Sequence, residues 1–123
     1  MELTFAQQYS GDAITMVNAK VPTGAGPYVD YESDVLSVSG YTSSTIVVTY
    51  EENTILNNID TTIKGSIDDG ATWFDYAILS LSRAMELSPR AQKVKVILSA
   101  RMVNGAQVAP SGTVTVVLAG FRT

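Results

Sequence analysis

Neither cysteine nor histidine occurs in the sequence. Disulfide frameworks, thiolate metal sites and cysteine nucleophiles are excluded, and any nucleophile has to be Ser, Thr or Lys with an unusual base. Long apolar runs are also missing. The longest, residues 116–119 and 76–79, fall far short of the ~20 residues a membrane span requires. No basic residue precedes Lys20, and residues 1–11 are too polar for a signal-peptide core. Charge is sparse, at 16% of residues against 46% apolar, a balance that suits a packed globule and is too apolar for disorder. A chain of 123 residues is expected to form one domain over its whole length and to bury roughly two thirds of its unfolded surface.

The net charge of −4 is unevenly spread. Residues 1–61 hold eight acidic side chains against Lys20 alone, whereas residues 62–123 hold seven basic side chains against four acidic ones. An acidic total disfavours non-specific nucleic-acid binding, which depends on neutralising phosphates. Interleaved strands would mix the two halves over one surface. Segregated strands would set an acidic patch near residues 30–34 against a basic patch near residues 93–101. Opposite patches suit a head-to-tail contact that closes into a ring of three or more copies, so a homo-oligomer is expected.

What the sequence does have is period-two alternation. Ile59, Thr61, Ile63, Gly65 and Ile67 alternate with Asp60, Thr62, Lys64 and Ser66, the pattern of a strand with one wet face. Val94, Val96 and Leu98 alternate with Lys93, Lys95, Ile97 and Ser99, and Val114, Val116 and Leu118 with Thr113, Thr115 and Val117. Residues 34–39 and 45–51 have compositions that suit a pleated surface. Turn formers separate these runs: Gly40 with Ser43-Ser44, Asn57-Asn58, Asp69-Gly70, Ser88-Pro89, Asn104-Gly105 and Pro110-Ser111-Gly112. The spacing predicts an all-β fold of seven to nine strands in a two-sheet sandwich, with a small closed barrel as the alternative. The expected core is Ile14, Met16, Leu36, Val38, Ile46, Val48, Ile63, Ile67, Trp73, Leu79, Val94, Val96, Leu98, Val114, Val116 and Leu118.

Two stretches are ambiguous. Residues 77–87 fit a helix with Ile78, Leu81 and Met85 near one face. They also fit two strand segments with Leu79, Leu81, Met85 and Leu87 on one face and Arg83 interrupting, which the neighbouring strands favour. Residues 21–31, with Pro22, Gly24, Gly26 and Pro27, predict a long exposed loop carrying Tyr28 and Tyr31.

The most specific string runs Ser66-Ile67-Asp68-Asp69-Gly70-Ala71-Thr72-Trp73. Asp69-Gly70 signals a two-residue hairpin because both positions tolerate positive φ. It is expected to join strands at residues 59–67 and 73–79, with Asp68 accepting backbone N–H groups across the turn and Trp73 packing over it. The spacing resembles the Asp-box hairpin of sialidases and other β-propellers, where the box is structural and lies away from the active site. The box occurs once here, and a propeller of several blades does not fit this length.

A longer resemblance joins Leu36-Ser37-Val38-Ser39-Gly40, the 64–73 hairpin, and the strands at 94–99 and 113–118. In that order the motifs resemble small bacteriophage and prophage virion proteins, which are immunoglobulin-like β-sandwich modules that decorate capsids or associate with tails. The resemblance implies a non-enzymatic structural or assembly subunit, located in the virion or the host cytoplasm. It would act by self-association and by docking on a capsid or tail protein lattice. The hairpin in this chain holds one extra aspartate, and the first 30 residues have no counterpart.

Candidate sites follow from residue type. Asp30, Glu32 and Asp34 alternate, so an extended backbone sets them on one face beside Tyr28 and Tyr31, a possible binding surface or a charged edge that resists aggregation. Asp68, Asp69 and Asp75, with Asp60, offer oxygens for Ca²⁺, but the alternating ladder ending in Glu is missing and no metal or cofactor is expected. No string singles out a catalytic pair of carboxylates. The alternative function is a carbohydrate-binding module using Tyr28, Tyr31, Tyr41, Tyr50, Trp73, Phe74 and Tyr76. Phe74 and Tyr76 share a strand face opposite Trp73 and Asp75, so one of the two sets belongs to the core.

Overall fold

The alternating segments become strands. A computed structural model describes residues 10–22, 29–88 and 91–122. In chain order the strands are β1 (Ser10–Lys20), β2 (Tyr31–Glu32), β3 (Leu36–Ser37), β4 (Ser43–Tyr50), β5 (Ile59–Ser66), β6 (Phe74–Leu79), β7 (Arg83–Glu86), β8 (Lys93–Ala100), β9 (Met102–Val103), β10 (Ala106–Gln107) and β11 (Val114–Arg122). One 3-10 turn, Ile55–Asn57, lies between β4 and β5, and no α-helix forms among the described residues. Among the described residues the strands of four residues or more number seven. The remaining four are two residues each, too short for alternation to register in sequence.

All pairings are antiparallel, and the two larger sheets pack face to face. Sheet A has the order β1-β11-β4-β7, and sheet B the order β2-β8-β5-β6, with β3 pairing β8 further along the same edge. Both sheets keep free edges, so the barrel alternative is not realised. Among the described residues β9 and β10 pair only with each other.

The register shows why these residues face inward. Val114, Val116 and Leu118 of β11 lie opposite Tyr50, Val48 and Ile46 of β4. Ile59, Thr61, Ile63 and Gly65 of β5 lie opposite Ala100, Leu98, Val96 and Val94 of β8. These two inner rows supply most of the core, and Val17, Val38, Tyr41, Leu79, Leu87 and Ala91 complete it. Ile14, Met16 and Leu36, expected in the core, are half-buried.

Two other core expectations are corrected. Ile67 is 63% exposed, because the strand ends at Ser66. There the buried Ser66 Oγ accepts the Gly70 N–H at 2.8 Å and turns the chain. Trp73 is half-buried and precedes β6 on its outward side, while Phe74 and Tyr76 pack against the core. Over Gly65 those two rings leave no space: a Cβ there would stand 2.4 Å from Tyr76 Cε2 and 3.1 Å from Phe74 Cζ.

Residues 77–87 are strand rather than helix, and they change sheets. β6 ends at Leu79 in sheet B, Ser80–Ser82 cross over, and β7 begins at Arg83 in sheet A. Leu79 and Leu87 are buried and Met85 is half-buried, whereas Leu81, in the crossover, is 44% exposed. The crossover is held by amides: Asn57 Nδ2 donates to the Ser80 carbonyl at 3.1 Å, and the Ser82 N–H donates to Asn53 Oδ1 at 2.8 Å. Asn57 is itself 1% exposed, and its Oδ1 accepts the Ile59 N–H.

Within the expected loop at 21–31, Pro22 is buried and Tyr31 is half-buried in β2. Gly24, Gly26, Pro27 and Tyr28 lie outside the described residues, as does Pro89. The N-terminal edge strand β1 carries two register shifts, with Ala19 at φ 50. Such bulges blunt an edge against pairing with another chain.

Candidate functional site

The expected hairpin forms around a true two-residue turn, but inside a longer loop. Asp69 (φ 61) and Gly70 (φ 91) both take positive φ, and the Ala71 N–H donates to the Asp68 carbonyl at 3.2 Å. That is the mirror-image turn expected of Asp-Gly. Residues 67–73 separate β5 from β6, so the strands end one residue short of the expected bounds on each side. Asp68 closes the loop from within: its carboxylate accepts the Ser66 hydroxyl at 2.8 Å, the Thr72 N–H at 2.9 Å and the Thr72 hydroxyl. The Thr72 hydroxyl and N–H, with Ser66, hold the Asp68 carboxyl down at a pKa of about 2. This carboxylate is committed to the loop.

The structure then brings together two regions that lie 40 residues apart in sequence. β2 pairs with β8, placing Glu32 opposite Ile97. Lys95 Nζ lies 2.8 Å from Glu32 Oε1 and 4.4 Å from the centroid of the Trp73 ring. Lys95 thus bridges the acidic 30–34 segment and the hairpin, on the outer face of sheet B. Its register partner on β5 is Lys64, which pairs with Asp75 at 2.7 Å. Like charges facing each other across strands are unfavourable, and here an acid on each flank relieves the repulsion. Lys93–Asp69 at 3.0 Å and Arg101–Asp60 at 3.0 Å extend the same pattern.

Two of these pairings favour the interleaved arrangement of charge over the segregated one. Glu32 and Asp60 come from the acidic half of the chain, Lys95 and Arg101 from the basic half, and strand pairing interleaves them on one sheet. Among the described residues these two pairs set acids of the first half beside bases of the second, so the charge split between the halves does not appear as separate flanks there. Asp30 and Asp34 are exposed beside Glu32, and Tyr31 lies under Lys20, whose Nζ is 5.9 Å from the ring centroid. Between β2 and β3 the buried Ser33 substitutes for ladder pairing. Its N–H donates to the Val96 carbonyl and its Oγ accepts the Val96 N–H, both at 2.9 Å.

Asp60, Asp69 and Asp75 are paired with Arg or Lys and Asp68 is tied to its loop. Among the described residues no group of three or more acidic side chains is placed to hold a metal. Among the described residues the aromatic side chains likewise do not form one platform. Tyr41 and Tyr50 are buried, Phe74 and Tyr76 stack edge-on at 4.9 Å, half-buried against the core, and Trp73 carries Lys95 over its ring. A sugar stacking on that face of Trp73 would have to displace the ammonium. At one end of the sandwich Ile67 lines an open cleft of about 250 Å³ with Val38, Ser39, Tyr41, Ala91 and Gln92.

The opposite face of the molecule is different. On the outside of sheet A, Thr15, Val117, Val47 and Ala84 form one row across four strands, and Ala13, Ala119, Thr45 and Glu86 form the next. Thr115 lies beside Thr49 and Phe121 beside Ser43. Glu86, on the edge strand, is the one charge in these rows. Val47 is 36% and Phe121 46% exposed. Sequence alternation identifies β4 and β11 but leaves this face unnoticed. The signal is available: the outward positions of both strands are Thr, Val, Ala, Ser and Phe throughout.

No protein-family model, curated protein or solved structure matches the chain. No helix among the described residues is long and apolar enough to cross a membrane.

Proposed function

We propose that this chain is a non-enzymatic structural subunit that works by self-association, burying the outer face of sheet A against a second copy in a larger protein lattice. One observation carries the proposal: the outer faces of the two sheets differ in what burial would cost. On sheet B, contact would desolvate four ion pairs, and removing ions from water costs several kcal/mol each unless they are re-paired. On sheet A the rows contain Thr, Val and Ala with one charge at the rim. Copies with a net charge of −4 repel each other, least where they meet through an uncharged surface.

The size of the face sets the strength. Four strands about 4.8 Å apart, three of them eight residues or longer and β7 only four, span at most roughly 20 Å by 25 Å. That falls below the ~800 Å² per partner of a standard specific interface. A single contact is therefore weak, and repetition in a lattice would raise avidity by ~10²–10⁴. The phage-type virion setting, on a capsid or tail, rests on the order of motifs around the 66–73 hairpin. Further support for a structural role comes from the titratable groups. Asp68 is shifted by bonds that close its own loop, and Tyr50 and Tyr76 by burial in the sandwich.

Light scattering after size exclusion, over a range of concentrations, tests the proposal on the intact chain and on Val47→Lys and Val117→Lys. The intact chain is expected to exceed its 13.1 kDa monomer mass at high concentration and both variants to remain monomeric while folded. A monomer mass at every concentration, or lysine variants that associate as well as the parent, would end it.

A further inference from the structure

We propose that the Asn104-Gly105 turn is a site of spontaneous covalent modification, at which the Asn104 side-chain amide is lost to give aspartyl and isoaspartyl residues. Among the described residues, two turns place a left-handed residue before a left-handed glycine: Asp69 (φ 61) with Gly70 (φ 91), and Asn104 (φ 51) with Gly105 (φ 80). Their backbones are alike and their surroundings are opposite.

At the first turn the reacting groups are tied down. The Gly70 N–H donates to Ser66 Oγ at 2.8 Å, the Asp69 N–H donates to Gln92 Oε1 at 3.0 Å, and the Asp69 carboxylate lies 3.0 Å from Lys93 Nζ. The second turn closes the β9–β10 hairpin, whose two-residue strands pair only with each other. Met102, Asn104, Gly105 and Ala106 are all exposed, and a Cβ at Gly105 would meet no atom within 4 Å. A lone two-stranded hairpin is marginally stable in water, so its opening is among the least costly local motions of the fold.

The chemistry needs only solvent. The Gly105 amide nitrogen gives up its proton to hydroxide and attacks Asn104 Cγ. The new N–Cγ bond closes a five-membered succinimide as the Cγ–Nδ2 bond breaks, and the leaving nitrogen departs as ammonia with a proton from water. A second water then opens either carbonyl of the ring, leaving an α-linked aspartate or a β-linked isoaspartate. Glycine favours the step because no side chain shields its nitrogen. Ring closure requires Asn104 to rotate out of its turn conformation, which hairpin opening permits.

Each event adds one negative charge to an acidic chain. In the isoaspartyl product it also adds a backbone atom between the paired residues Val103 and Ala106. Below the tip the Val108 N–H donates to the Arg101 carbonyl at 3.3 Å, and the Arg101 N–H to the Asn58 carbonyl at 2.8 Å. The disturbance stays at the tip.

The test is peptide mapping by mass spectrometry, with isoaspartate-specific methyl transfer, on the folded full chain held in mildly alkaline buffer. Conversion is expected at Asn104, with one ammonia released per converted chain. The peptides holding Asp69-Gly70, Asn18, Asn53, Asn57 and Asn58 are expected to stay unchanged. Gly105→Ala should abolish conversion even though φ 80 strains an alanine and loosens the hairpin, which separates the role of the nitrogen from that of opening. Asn104 remaining intact in the folded chain while converting in denaturant, equal conversion at Asp69, or undiminished conversion in Gly105→Ala would each overturn the proposal.

Discussion

The hydroxyl of Tyr50, in sheet A, stands 2.6 Å from Thr61 Oγ1, in sheet B. The same oxygen lies 2.7 Å from the Leu79 carbonyl and 3.2 Å from that of Ile59. With one proton to give, it donates to Leu79 and accepts from Thr61. Tyr50 is 3% exposed and Thr61 fully buried, so this is a polar bolt through an aliphatic core. Tyr50→Phe keeps the ring and strands the buried partners, which should cost about 1–3 kcal/mol. A denaturation midpoint equal to the parent's, at unchanged slope, would rule the bolt out as a source of stability.

The same residue predicts an alkaline limit. Burial is the main cause that raises the Tyr50 hydroxyl above its ordinary 10.0, and it raises Tyr76 as well. A folded-state pKa above the unfolded one means that the unfolded chain releases its proton first. The resulting stability is present below pH 10 and is lost as pH rises through the folded value. Melting temperature should therefore fall at higher pH than this, and less steeply in Tyr50→Phe. Identical slopes would show that Tyr50 is not the group responsible.

Asp68 gives the opposite sign. Chiefly through the Thr72 hydroxyl, its pKa falls from 3.8 to about 2. The stability it contributes is present above the unfolded value and is lost as pH falls through about 2. Asp68→Asn should be less stable than the parent near neutrality, with the difference closing in strong acid. A constant difference across that range would mean that ionisation of Asp68 is not what matters.

Glycines 65 and 70 are required for different reasons. Gly65→Ala drives a Cβ to 2.4 Å from the Tyr76 ring, an overpacking expected to cost about 1–3 kcal/mol. Gly70 has room, since a Cβ there would stand 3.7 Å from Trp73 Cζ2, but it sits at φ 91. There Gly70→Val should cost about 1–3 kcal/mol through backbone strain, while Gly70→Asn should be much milder because Asn tolerates the left-handed region. Equal losses for Val and Asn would refute the conformational explanation.

Lys95 has one partner in Glu32 and another in Trp73. Both contacts are partly exposed, so each contributes about 0.5–1 kcal/mol. Lys95→Met should lower stability slightly at low salt and less at high salt. Because Trp73 is the only tryptophan, its fluorescence reads the contact directly. An emission spectrum unaffected by the substitution would place the ammonium elsewhere in solution.

Much of this fold is legible in the sequence because side-chain direction has period two in a strand. β5, β8 and β11 can be read that way, with their inward residues Ile63, Val94, Val96, Leu98, Val114, Val116 and Leu118 buried as the alternation requires. Asp69-Gly70 announces its turn because few residues accept positive φ. The failures have local causes. Alternation runs on to Ile67, but Ser66 uses its hydroxyl to end the strand one residue earlier. Trp73 reads as core by its size, yet it immediately precedes β6 on the opposite face from Phe74.

Tertiary structure alone decided which strands are neighbours. Backbone N–H and C=O groups pair alike in every strand, so nothing local to β2 states that it will lie against β8. That one pairing puts Glu32, from the acidic half of the chain, beside Lys95, from the basic half. The crossover after Leu79 likewise sends β6 and β7 to different sheets, and the connection after Tyr50 does the same for β4 and β5, leaving Tyr50 of one sheet to bond with Thr61 of the other. Alternation determined which side chains turn inward. Which of them meet, and which outer face is left with a single charge in its rows, depended on contacts between residues far apart in sequence.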